Sequence, residues 1–333
     1  MNKNGICVAG NMVVDILYPV AGLPGPGELT SILEGITRST GGALCNVAGD
    51  LARMDPALPL TALGRVGEDP EGDYVLATLI PHKNVDISMI KREGKTSFTA
   101  VMQDTISRER TFFHYRGANA RFCEDDIDWD KISAGFFHIG YILLLDALDG
   151  EDPQYGTRMA RLLRNAQKRG IKTSVDVVSE AGDRFRRLVP PSLKYSDYCI
   201  INEIEAGQVT GIALRDGEGK LIARNVRGAL EEIKKLGVSQ WAVIHSPEGG
   251  YGLDGRGKYA ESPAVDVPPE YIKGKVGAGD AFCAGAIYAA SQGGDLEEGL
   301  ELGNAAAAAS LSMPGSTEGM LPVAELEKLR SRF

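Results

Sequence analysis

The residues Val276-Gly277-Ala278-Gly279-Asp280-Ala281-Phe282 turn on two glycines and lead into a small, apolar stretch, residues 283–290, that ends at Gly293-Gly294. A glycine-rich turn that opens a helix leaves backbone N–H groups free at the positive end of the helix dipole, which makes it a receptor for negative charge. Asp280 falls in the first turn of the predicted helix. A carboxylate there is expected to be held ionised and is placed to accept a proton from a hydroxyl. Read alone, the same residues suit better a tight turn with Asp280 as an N-terminal cap. Two other phosphate cradles are excluded, because Phe282 stands where GxGxxG needs its last glycine and no GxxxxGK[ST] occurs.

Upstream of this turn, strand-like and helix-like segments alternate. Residues 136–139, 172–177, 198–202 and 241–245 read as strands, and 156–169 and 226–236 as helices closed by Gly170 and Gly237 after basic residues. Such alternation predicts an α/β fold, a mostly parallel sheet with helices on both faces. Residues 6–10 read as its buried first strand. Residues 41–54 read as a helix whose small-residue start lies near a ligand. Two β-rich stretches, 18–40 with hairpin-like pieces such as 30–36 and 96–115 with alternating Phe98, Ala100 and Met102, are expected to form a small sheet standing off the main body. No linker long enough to separate independent domains is present, so one domain over residues 1–333 is expected.

Composition narrows the function further. The chain has 333 residues and carries 36 basic and 45 acidic side chains, a formal net charge of −9, which argues against nucleic acid or anionic lipid as a partner. Cys7, Cys45, Cys123, Cys199 and Cys283 are odd in number and scattered, as reduced thiols would be. The four histidines show no metal spacing. No stretch approaches the ~18 apolar residues of a membrane span. The start of the chain lacks the apolar core and cleavage site of a signal peptide, so a cytoplasmic location is expected.

A second run, Gly41-Gly42-Ala43-Leu44-Cys45-Asn46-Val47-Ala48, stands more than two hundred residues before the first. The pair, in this order, resembles the two signatures of the ribokinase-like (PfkB) carbohydrate kinases. The likeness extends to residues 10–15, to Gly64-Arg65-Val66-Gly67-Glu68-Asp69, to Asn202-Glu203-Ile204-Glu205 as an NxxE element, and to the alanine-rich run after Asn304, covering the chain from Ile6 to about Leu326.

The resemblance implies a ribokinase-like αβα sandwich whose small sheet is a lid built from about residues 16–40 and 95–116, with a nucleotide-binding half over about 198–325. It implies ATP-dependent phosphorylation of a hydroxyl on a sugar, sugar acid or similar small molecule. Asp280 would be the general base, and the amides of Gly277, Ala278 and Gly279 the anion hole. Asp15, Gly41, Gly42 and Asn46 would bind substrate, Asn202, Gly249 and Asn304 the nucleotide, and Glu205 would organise Mg²⁺, largely through water. Asn202 and Glu205 also read as a plain helix capping box. Arg108, Arg110 and Arg116, on or beside the lid, suit either a solvated edge or recognition of an anionic substrate. Relatives further suggest a homodimer through the lid. A nucleoside kinase of the same fold and a catalytically silent sugar-binding protein remain alternative readings.

Two departures from the family pattern matter. Gly274-Lys275-Val276 stands where relatives often carry an acidic residue that helps bind a monovalent cation, and Ile244-His245-Ser246 replaces the usual TLG beside the nucleotide. Dependence on a monovalent cation is therefore expected to be weak or absent.

Overall fold

The computed structural model describes residues 5–107, 109–180 and 182–332. The chain begins with β1 (Gly5–Gly10), β2 (Val13–Val20), β3 (Thr37–Gly41), α1 (Ala43–Met54), β4 (Leu60–Val66), α2 (Pro70–Leu79), β5 (Val85–Asp86) and β6 (Ile90–Arg92). Then follow β7 (Ser97–Asp104), β8 (Arg110–Tyr115), β9 (Ala134–Ile142), α3 (Asp146–Asp149), the short pair β10 (Glu151–Asp152) and β11 (Gly156–Thr157), and α4 (Arg158–Lys168). The remainder holds β12 (Lys172–Val177), α5 (Phe185–Leu193), β13 (Tyr198–Asn202), α6 (Glu203–Thr210), α7 (Ala223–Lys235) and β14 (Trp241–Ser246). It closes with β15 (Gly249–Leu253), β16 (Tyr259–Pro263), α8 (Ala278–Ser291), α9 (Leu296–Ser310) and α10 (Val323–Arg332).

The large sheet has the order β16-β15-β14-β13-β12-β9-β1-β4-β5, with β6 also beside β4. Pairing is parallel from β14 through to β5 and antiparallel only at the β14-β15-β16 edge. Strands buried on both faces explain the unbroken apolar runs of the sequence. In β1, Ile6 and Val8 point into one core, which α1, α8, α9 and α10 cover with Leu44, Phe282, Leu300 and Leu326. Cys7 and Ala9 point into the other, covered by α4 to α7 through Leu162, Leu188, Ala206 and Leu230. The three layers of the expected αβα sandwich are thus present.

The two β-rich stretches do join in a separate four-stranded sheet of order β3-β2-β7-β8. Its strands are β2 and β3 from the first stretch and β7 and β8 from the second. Residues 21–36, punctuated by Gly22, Pro24, Gly25, Pro26 and Gly27, form no strand beyond the single bridge from Ile32 to Val20, so the hairpin pieces expected there are loop instead. The segment Gly64–Asp69 proves architectural. Asp69 caps α2 by accepting from Gly72 N at 3.0 Å and holds the start of the second sheet by accepting from Thr96 N at 2.8 Å.

Candidate active site

Asp280 is the third residue of α8 and is buried. Gly277 precedes the helix with φ 79°, a left-handed conformation that favours glycine, and a β-carbon there would collide with the Ser316 backbone. The N–H groups of Ala278, Gly279 and Asp280 belong to the first turn, which has no upstream helical carbonyl to receive them. They border a cleft of about 260 Å³, lined also by Tyr141, Asp176, Ser179, Asn202, Glu205, His245 and Lys275.

Both carboxylate oxygens of Asp280 are held by donors from distant parts of the chain. Asn46 Nδ2, on α1, donates to Oδ2 at 2.8 Å, and the Tyr141 hydroxyl, on β9, donates to Oδ1 at 2.6 Å. Asn11, in the turn after β1, ties these elements together. Its Oδ1 accepts from Ala43 N at 3.1 Å and Tyr141 N at 3.2 Å, and its backbone carbonyl accepts from Leu44 N. The start of α1 and the end of β9 are therefore fixed against each other on either side of the base. Tyr141 and Asn11 escaped the reading of the sequence. Neither lies in a glycine-rich signature, and the Tyr141–Asp280 contact spans 139 residues.

Burial raises the Asp280 carboxyl above its ordinary value, and the bonds from Tyr141 and Asn46 oppose that rise. Desolvation outweighs the donors around it, so the ionised form is less favoured than it would be at an exposed first-turn position. Other carboxylates crowd the same region. Asp176 on β12 is pushed well up by burial and by the charges of Glu205 and Asp280. Glu205 is raised to about 7, mainly by burial. Asp50, one helical turn beyond Asn46, is completely buried, with neither oxygen partnered.

Asn202 and Glu205 do form a capping box. Asn202 Oδ1 accepts from Ile204 N and Glu205 N, and Glu205 Oε2 accepts from Asn202 N at 3.0 Å. Ser179 donates to Glu205 Oε1 at 2.9 Å, so the glutamate is pinned at the cleft wall. Among the described residues no group of three His, Cys, Asp or Glu side chains is close enough to hold a metal directly. Hard oxygen donors whose charges repel one another nevertheless suit Mg²⁺ held through water and phosphate oxygens.

His245 stacks on Phe282 with ring centroids 5.0 Å apart and lies beneath Gly279, where an added β-carbon would sit 3.1 Å from its Cε1. Burial lowers its imidazole to about 4, so it packs as a neutral ring. Gly249 adopts φ 147° where β15 presses on the Ser262 carbonyl. Asn304 Nδ2 donates to the carbonyls of Ser262 and Pro263 at 2.9 and 3.1 Å and so anchors β16.

On the second sheet, Asp15 pairs in register with Ser39 and Thr99, and Thr99 with His114, which makes a polar row across four strands. Thr99 hydrogen-bonds Asp15, and Gly41 leaves no room for a β-carbon against the Asp15 carboxylate. Gly42, with φ 93°, packs on Asn11. Of the three arginines singled out, Arg116 is already engaged, its Nη1 donating to the Leu143 carbonyl at 2.6 Å and its Nη2 lying 3.5 Å from Glu180. Arg110 is exposed. Arg108 lies outside the described residues.

A helix N-terminus above a buried aspartate, on an αβα sandwich with a small separate sheet, defines the class of ribokinase-like kinases. The chain belongs to the pfkB family of carbohydrate kinases, whose pattern matches residues 3–324. It is 27% identical to an ATP-dependent ribose-1-phosphate kinase of Halopiger xanaduensis over 98% of both chains. It is 26% identical to a 2-dehydro-3-deoxygluconokinase of Bacillus subtilis over 88% of this chain and 86% of that one. The fold matches Arabidopsis thaliana ribokinase complexed with ribose and ATP, with a TM-score of 0.79, 21% identity and 98% of each chain covered. The protein is thus an ATP-dependent kinase of sugars or nucleosides. No helix among the described residues is long and apolar enough to cross a membrane.

Proposed function

We propose that this kinase phosphorylates a hydroxyl group of a sugar, sugar acid or sugar phosphate, with Asp280 as the general base. The observation that carries the reading is the placement of one buried carboxylate, gripped on both oxygens, in the first turn of α8, on the cleft that the amides of that turn border. Negative charge on a moving phosphoryl group would be met by the Gly277–Gly279 turn and by the helix dipole. The acceptor hydroxyl, poised between the turn and Asp280, would surrender its proton to the carboxylate as its oxygen attacks the γ-phosphorus of ATP, the bond from that phosphorus to the bridging oxygen breaking so that ADP leaves. Catalysis of this kind is chiefly positioning and electrostatics, which fits a site made of helix ends and buried donors.

Glu205 and Asn202, with Asp176 facing them, are the residues that would organise Mg²⁺. The ion would supply neutralisation of phosphate charge. Asp15, Gly41 and Gly42 would bind the acceptor's hydroxyls, with the second sheet as a lid that excludes water. Gly249 and Asn304 would shape the nucleotide side through the backbone that they hold.

The two relatives are named for kinases of ribose 1-phosphate and of 2-dehydro-3-deoxygluconate, which favours sugar derivatives over nucleosides as the first acceptors to try. ADP release from ATP and Mg²⁺ would be followed with a panel of free sugars, sugar acids, sugar phosphates and nucleosides. A sugar derivative is expected to stimulate release well above the ATP-only rate. Stimulation by nucleosides alone would replace the acceptor class, and none by any acceptor would favour a silent binding protein.

A further inference from the structure

Tyr141 has no role in the chemistry described so far, yet its hydroxyl makes the shortest contact to Asp280, 2.6 Å to Oδ1, from the wall of the same cleft. We propose that Tyr141 is a positioning residue for the phosphoryl transfer, its hydroxyl orienting the Asp280 carboxylate and keeping it unprotonated so that it can accept the proton of the incoming alcohol. The inference rests on the reading of Asp280 as the base.

The geometry supports it in two ways. Asn46 holds Oδ2 from one side and Tyr141 holds Oδ1 from the other, so the plane of the carboxylate is set by two donors on elements that Asn11 locks together. Both donors stand on backbone that is tied down, because Tyr141 N is itself bonded to Asn11 and Asn46 lies within α1. Each carboxylate oxygen keeps a second lone pair for the substrate hydroxyl.

The surroundings explain why such a donor is needed. The titratable groups around Asp280 are Asp50 and Cys45 on α1, Asp176 on β12, Glu205 on α6, His245 on β14, Cys283 on α8 and Lys275 in the preceding loop. Three of these are carboxyls, and His245 is neutral, which leaves the exposed Lys275 as the one cation in the set. Burial presses a proton onto Asp280, and the Tyr141 hydroxyl is one of two side-chain donors that oppose it. The phenol stays neutral because burial and the adjacent Asp280 raise it well above its usual range.

The test reads Asp280 directly. Protein labelled with ¹³C at the aspartate γ-carbon is titrated by NMR, with the Asp280 signal assigned from its absence in Asp280→Asn. Tyr141→Phe keeps the ring and removes one oxygen; the Asp280 midpoint should rise by about one pH unit or more, the worth of a hydrogen bond to a charged group. Replacing Tyr141 by 3-fluorotyrosine, a stronger donor of nearly the same shape, should lower the midpoint. The acid limb of kcat/KM for ADP release with the acceptor panel above should move in the same direction in each variant. An unchanged midpoint in both variants, with Asp280→Asn inactive, would overturn the role of Tyr141 and leave Asp280 as the base. Full turnover in Asp280→Asn would overturn the reading of the base and the positioning role with it.

Discussion

His245 is the middle residue of the Ile244-His245-Ser246 run that replaces TLG, and its packing gives it a measurable signature in stability. Its imidazole is neutral in the folded protein, lowered by burial to about 4 from an ordinary value near 6.5. The unfolded chain therefore binds a proton at His245 between about pH 6.5 and 4 while the folded chain does not, so stability rises with pH across that window and levels off above it. His245→Phe keeps the stack on Phe282 and removes the titration. Thermal melts at pH 7.5 and 5 should show wild type losing more stability on acidification than His245→Phe. An equal loss in both would mean that His245 gains solvent or a partner in solution. The position of Asn46 in the Gly41–Ala48 run points to a substrate contact; its amide nitrogen donates to Asp280, and its buried Oδ1 is left without a partner.

The loop that leads into α8 bears on cation dependence. Gly274 faces the carbonyls of Met313 and Pro314, and a β-carbon added there would lie 2.9 and 2.8 Å from them. Lys273 N donates to the Leu311 carbonyl at 2.7 Å, which draws the two segments together. A carboxylate at position 274 would bring full charge to this corner, and backbone carbonyls alone attract a large monovalent ion less strongly. Lys273 and Lys275 are exposed and add positive charge nearby. Turnover at constant ionic strength should change by less than tenfold when K⁺ is exchanged for tetramethylammonium. A larger loss, about 1.4 kcal/mol of barrier or more, would show that the carbonyls suffice.

Across the whole molecule, the sandwich was legible because parallel strands buried on both faces leave apolar runs between helices with ordinary glycine stops. The antiparallel edge was not. Gly249, Gly250 and Gly252 in β15 look like loop residues, yet they are small because Phe282, Leu296 and the β16 backbone press on them. The site was legible where it lies in the two glycine-rich runs and illegible where it depends on tertiary contact, as at Tyr141, Asn11 and Asp176. The second sheet also leaves Phe98, Phe112, Phe113 and Tyr115 partly or largely exposed, with Phe98 and Tyr115 packed on each other at 5.4 Å. So many exposed aromatics on one small sheet are costly in water. We infer that a second copy of the chain covers them, and sedimentation at micromolar concentration should show a dimer. A monomer at that concentration would contradict it.

The central claim is that Asp280 takes the proton of the acceptor alcohol. Asp280→Asn preserves the side chain's shape and removes its basicity, so kcat for ADP release in the presence of the best acceptor should fall by the ~10²–10⁴-fold typical of a lost general base. The KM values for ATP and acceptor should stay close to those of wild type. A variant that keeps most of its turnover would contradict the account.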